Sequence, residues 1–271
     1  MLVFTGLLCE NGVRLGFKKR YFMSISYNSF CDDFYIDMYV NTRFDLPNDR
    51  DSLLTFFERI TKQFPSMTSL GRDTTGYSLE ESEDKGYGRW TSIDIERIGA
   101  GIINPDSFEQ AFELPKSVIG LMPYLLGIRS LDVDCIDLTF GMDFDYSGNH
   151  NEIIAEGLFA GSPFGRMFDG RGAGALSLSP AVVIALDDEC STRIRLTVDS
   201  QTEENEIRNR KFEQDKPISL YMTARQYPSG GKEFDPSAAF DKLCQVAIDF
   251  MDEKVVPNFV VPLTSAISHR R

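Results

Sequence analysis

Histidine and tryptophan are nearly missing from this 271-residue chain, with two copies and one copy respectively. His150 and His269 stand far apart, so a histidine metal set or a nucleophile–histidine relay has little to be built from. The five cysteines, Cys9, Cys31, Cys135, Cys190 and Cys244, are scattered, odd in number and form no C-x-x-C. That pattern argues against a disulfide framework and a zinc site, and fits reduced thiols in a cytosol. No apolar run approaches the ~18 residues a membrane span needs, so no membrane partner is expected. Basic residues are outnumbered 28 to 41, for a net charge of −13. Such a surface repels phosphate backbones, and nucleic acid is not an expected partner. No G-x-S-x-G is present. Gly170-Arg-Gly-Ala-Gly174 has no Gly-Lys-Ser/Thr and precedes a strand pattern, so it reads as a loop and not a phosphate cradle. Tyr227-Pro-Ser-Gly-Gly-Lys232 is likewise a turn.

What is present is the balance of a globular protein, 42% apolar and 25% charged. Residues 1–22 differ from the rest. Arg14, Lys18, Lys19 and Arg20 oppose only Glu10 there. The basic residues follow the apolar Leu2–Leu8 run, the reverse of an export signal. The segment reads as a loose extension or a mis-assigned start, with Met23 as the alternative start.

The chief pattern is a self-similarity at an offset of one hundred. Phe34, Ile36, Met38, Val40 and Phe44 alternate with Tyr35, Asp37, Tyr39, Asn41, Arg43 and Asp45. Ile136, Leu138, Phe140, Met142 and Phe144 alternate with Asp137, Thr139, Asp143 and Asp145 in the same phase. Each is the signature of a half-buried strand. Each runs into a helix, capped by Asn48 or Asp49 in one case and by Asn149 in the other. The first helix carries Leu53, Phe57, Ile60 and Phe64 on one face and stops at Pro65. Hairpins follow, over 76–80 with 89–95 and over 181–186 with 192–198, and the second half adds a strand over 218–225. Asn104-Pro105 and Asp235-Pro236 each offer a cap with Pro at the first helical position. The helices they begin are expected to stop at Pro123 and Pro257.

The expected fold is therefore α+β, an antiparallel sheet with helices packed on one face, in duplicated β-α-β-β-(β)-α halves. One globular unit, 23–262, would divide into halves 23–130 and 131–262, followed by a tail, 263–271. The layout resembles the TATA-binding-protein-like and helix-grip folds in topology alone, which carries no function. The strand and helix ending Gln63-Phe-Pro65, the strand Pro217–Arg225 and the helix into Val255-Val-Pro257 resemble sporadically distributed bacterial proteins of similar size. That resemblance implies no activity and no cofactor.

The candidate chemistry lies on strand faces. Asp132, Asp134, Asp137, Asp143 and Asp145 crowd fourteen residues, with a phase slip near Cys135 that suggests a β-bulge. Asp137, Asp143 and Asp145 are the candidate Mg²⁺ or Ca²⁺ ligands of a metal-dependent hydrolase, against the simpler reading of a solvated face. Arg193 and Arg195 share a face that would take a phosphorylated ligand or pair with the aspartates. His150 reads as a surface residue near a helix start, or as an acid–base partner of Asp143 or Asp145. Glu80 and Glu81 read as solvated turn flank. The favoured reading is a cytoplasmic, non-enzymatic binding protein without a cofactor, taking a protein partner on its polar sheet face. That face comprises Tyr35, Tyr39, Asn41, Arg43, Tyr221, Thr223, Arg225, Arg193 and Arg195, rich in the tyrosine and arginine that dominate binding surfaces. A small-ligand pocket between sheet and helices is the further alternative.

Overall fold

The computed structural model describes residues 27–270 apart from 48, 73, 75, 82–86, 169–173 and 232. The 1–22 extension, Met23, the Asn48 cap and most of the Gly170–Gly174 loop lie outside the described residues. Nine strands form one antiparallel sheet: β1 (Asp33–Thr42), β2 (Met67–Arg72), β3 (Tyr77–Glu81), β4 (Gly88–Ile93), β5 (Arg97–Ile103), β6 (Val133–Asp145), β7 (Ala181–Ala185), β8 (Thr192–Asp199) and β9 (Pro217–Gln226). The helices are α1 (Arg50–Gln63), α2 (Phe108–Leu125), α3 (His150–Phe159), α4 (Glu204–Asn209), α5 (Pro236–Phe250) and α6 (Val261–Arg270). Strand order across the sheet is β2-β3-β4-β5-β1-β6-β9-β8-β7. Among the described residues no helix is long and apolar enough to cross a membrane.

Alternation decides which face is covered. Ile36, Met38 and Val40 of β1, Leu138 and Phe140 of β6, and Leu220, Met222 and Ala224 of β9 are all fully buried. They join the helix residues Phe56, Ile60, Phe112, Val118, Phe240 and Leu243 in one core. Phe140 and Phe34 meet edge-on at 5.8 Å, and Phe108 stacks on Phe140 at 6.0 Å. The core thus sits between the sheet and the helices on one side, as alternation requires.

The strand order mirrors about the β1–β6 boundary, each half running outward from its first strand. The offset of one hundred holds for the starts of β1 and β6, for the starts of α1 and α3, and for the caps Asp49 and Asn149. It fails at Phe44. Phe144 is 2% exposed at the end of β6, whereas Phe44 is 67% exposed beyond the end of β1. The cause is Thr42. Its hydroxyl donates to the carbonyls of Phe44 and Glu96, 2.8 and 3.0 Å away, and turns the chain out of the sheet. Beside it, the register slips between Asn41 and Thr42, so that Asp134 on β6 has no partner on β1, a bulge next to Cys135.

Several helix boundaries differ from those read in the sequence. α2 begins at Ser107, whose hydroxyl accepts from the Gln110 N–H, and not at Asn104. Asn104 instead takes a left-handed conformation, φ 48°, and ties Phe34 and Asp33 of β1 through its amide. α2 also continues through Pro123 to Leu125. Asp235 caps α5 with Pro236 at its start, as expected. The chain does not stop at Pro257. A π-helical stretch, Met251–Val260, carries the proline and leads straight into α6. Residues 263–270 are consequently no tail. Leu263, Ala266 and Ile267 are buried, and Arg270 pairs with Glu152 and Glu156 of α3.

Candidate functional site: the open sheet face

The face away from the helices is polar, and its residues align in rows across the strands. One row runs Arg193, Arg225, Asp137, Tyr39, Gly99, Ser92 through β8, β9, β6, β1, β5 and β4. The next runs Arg195, Thr223, Thr139, Asp37, Gly101, Trp90. A third brings Tyr221, Gly141 and Tyr35 together. Eight of the nine expected face residues therefore share one surface: Tyr35, Tyr39, Asn41, Tyr221, Thr223, Arg225, Arg193 and Arg195. Arg43 does not belong to it. It lies past the end of β1, exposed, 3.9 Å from Asp134.

Three glycines shape this surface. A Cβ on Gly141 would collide with the Tyr35 ring, and one on Gly101 with the Asp37 carboxylate and, at 2.6 Å, with Trp90 Nε1. One on Gly99 would lie 2.7 Å from the Tyr39 ring and 2.8 Å from Trp90. Without side chains at these points, the rings lie down on the sheet instead of standing off it. Tyr39 and Trp90 meet at 5.6 Å, Tyr35 and Tyr221 at 6.1 Å, and Arg97 covers Tyr39 at 4.9 Å. Trp90, Asp37 and the glycines were not singled out by residue type. The signal was there in Ile98-Gly-Ala-Gly-Ile102, where alternation with glycine marks a strand closely approached on one face.

The fixed charges separate along the strands. At one end Arg225 forks onto Asp137 at 2.5 and 2.6 Å, and Asn41 donates to the same carboxylate at 3.1 Å. Arg193 stacks over Tyr227 at 4.6 Å and donates to the Cys190 carbonyl at 2.8 Å. The bidentate hydrogen bond raises the Arg225 pKa and holds its charge. At the other end Asp143 accepts from Ser219 at 2.6 Å, with Asp33 beside it in the ladder. Between the ends, Asp37 accepts from Trp90 Nε1 at 3.1 Å. Burial outweighs that hydrogen bond and pushes its pKa up to about 7.

A proton that binds the folded state more tightly than the unfolded chain favours folding. Asp37 therefore favours folding most at acid pH, below its unfolded pKa. This contribution is lost as pH rises from about 4 to about 7, the folded value. Asp37→Asn keeps an acceptor for Trp90 and removes the charge. We expect it to be more stable than wild type at pH 8 by about 1–2 kcal/mol, reduced from a fully buried cost by solvent at the open face. The gain should vanish at pH 4. Thermal unfolding midpoints of both proteins across pH 4–8 check it, and parallel curves would refute the assignment.

The remaining candidates disperse. Asp137 and Asp143 lie six residues apart on one strand, about 20 Å. Each is held by its own partner, and Asp145 stands exposed beyond them. Among the described residues no three His, Cys, Asp or Glu side chains gather as a metal set. His150 is not on the surface but 2% exposed, bonded through Nε2 to the Tyr146 carbonyl and not to Asp143 or Asp145. Burial lowers its pKa. Glu81 is not solvated either. It is buried, accepting from the Ser66 hydroxyl and from the Arg89 N–H and guanidinium at 2.9 and 3.1 Å. Burial raises the Cys135 thiol to about 11, which leaves it a poor nucleophile. A groove of about 780 Å³ lies at the end of the sheet, between the last turns of α2 and the loop into α5, lined by Ile119, Met122, Pro123, Ile128 and Phe234. It is not the sheet-to-helix pocket of a helix-grip layout, since the core fills that space. No protein-family model matches the chain, and no curated protein does.

Proposed function

We propose that the chain is a cytoplasmic binding protein, without catalytic activity, that docks another protein on its open sheet face. The observation that supports this reading is the paving of that face. Four aromatic rings, Tyr35, Tyr39, Trp90 and Tyr221, lie partly exposed over or beside glycines, flanked by arginine at one end and aspartate at the other. Rigid aromatic and arginine side chains lose little conformational freedom on binding and give most of the energy at protein interfaces. The dipolar arrangement of charge would set the orientation of the partner. A solvated face with no partner would have no use for rings held flat by glycine.

The test is affinity capture from native lysate with the full chain. Tyr39→Ala with Tyr221→Ala should lose a protein that wild type retains, while leaving the thermal midpoint within a few degrees. Tyr124→Ala, exposed on the other side of the molecule in α2, should retain it. Capture indifferent to Tyr39 and Tyr221 would remove the face from consideration.

A further inference from the structure

The two edges of the sheet are built differently. Edge strand β2 carries a register shift between Met67 and Ser69, a glycine at 71 and a charge at Arg72. These are the features by which natural sheets blunt an edge against further pairing. Edge strand β7 has none of them. It reads Ala181-Val-Val-Ile-Ala185, with no charge, no proline and no bulge. All five residues are exposed, Val183 by 59%.

The hydrogen-bond phase of β7 is also defined. Leu186 donates to the Thr192 carbonyl at 2.9 Å, and Val198 donates to the Pro180 carbonyl at 3.0 Å. The register of β7 on β8 then assigns the even residues, 182 and 184, to bonds with β8. The N–H and C=O groups of Ala181, Val183 and Ala185 point away from β8, to an edge with no strand beside it among the described residues. Such a row is a template for another strand.

We propose that β7 pairs with β7 of a second copy of this chain, antiparallel, about a two-fold axis through Val183. The sequence of the strand is its own complement under that operation. Val183 meets Val183, Ala181 meets Ala185, and Val182 meets Ile184, so small residues face small ones and β-branched residues face β-branched ones. The three outward residues become three reciprocal pairs, and every unused backbone group of the strand gains a partner. The first charged residue, Asp187, would stand opposite Ser179 of the second copy and not opposite a like charge. A heterologous strand would gain nothing from this symmetry, whereas an isologous dimer makes use of all of it. The result joins two nine-stranded sheets into one and places the two open faces side by side.

The test uses the full chain and two substitutions at the axis. Val183→Pro deletes a donor that the monomer does not use, so it should leave folding intact. Val183→Lys keeps the donor and places a charge on the axis. Wild type should sediment at twice the chain mass, with slow amide exchange at Ala181, Val183 and Ala185. Both variants should sediment as monomers with unchanged thermal midpoints, and Val183→Lys should exchange rapidly at all three positions. Wild type remaining monomeric at every concentration reached would overturn the proposal. So would a dimer that survives both substitutions, or one whose amides at 181, 183 and 185 exchange as fast as in Val183→Lys. The amide measurement on wild type stands even if a variant unfolds.

Discussion

Phe144→Ala should lower the free energy of unfolding by about 3–5 kcal/mol, the range for truncating a buried aromatic ring. The ring is 2% exposed at the last inward position of β6, among core residues. Phe44→Ala should change stability by no more than about 0.5 kcal/mol, as for ordinary surface positions. The two phenylalanines occupy corresponding places one hundred residues apart, and alternation assigns both to the core. Their separation in energy comes from Thr42, which turns the chain out of the sheet two residues before Phe44. Denaturant unfolding of the two variants checks both values. Equal losses would mean that residue 44 returns to the core.

Arg225→Ala should cost about 2–3 kcal/mol. The loss comes less from the missing attraction than from Asp137, which is 7% exposed and would be left with only Asn41 donating to it. The full ~3–5 kcal/mol for a broken buried pair is not expected, because Arg225 is itself 40% exposed and water can reach the gap. Asp137→Asn in the Arg225→Ala background should recover most of the loss by removing the stranded charge. Chemical denaturation of the single and double variants closes the cycle. A double variant as unstable as the sum of its parts would show that the pair is not coupled. The same fork also orders the basic end of the open face, so Arg225→Ala should weaken any partner that depends on Tyr39, its neighbour but one in the row.

Local chemistry made much of the architecture legible in the chain itself. Period-two alternation located β1, β6, β8 and β9 and assigned their buried phase correctly, because a strand with one face on a core must place every second side chain in it. Helical spacing located α1, and Asp49, Asn149 and Asp235 cap helices where short acceptor side chains precede apolar runs. The bulge at Asp134 showed as a slip of phase. These signals are local and need no knowledge of what the segment meets.

The tertiary structure decided whatever depends on residues distant in sequence. β2 and β5 escaped the reading because Gly71, Gly99 and Gly101 interrupt their patterns, and the glycines make sense only beneath side chains from other strands. His150 and Glu81 are held by partners outside their own local pattern, Thr202 accepting from the His150 N–H and Ser66 and Arg89 donating to the Glu81 carboxylate. Pro257 is carried inside one continuous helical run, and the α6 segment beyond it pairs with α3 through Arg270 and Glu156. Asp37 and Trp90 are 53 positions apart, and nothing in either neighbourhood announces the other. Their meeting, and the pKa it imposes, depends on strand order, which is settled by the summed burial of the whole sheet and not by any one segment.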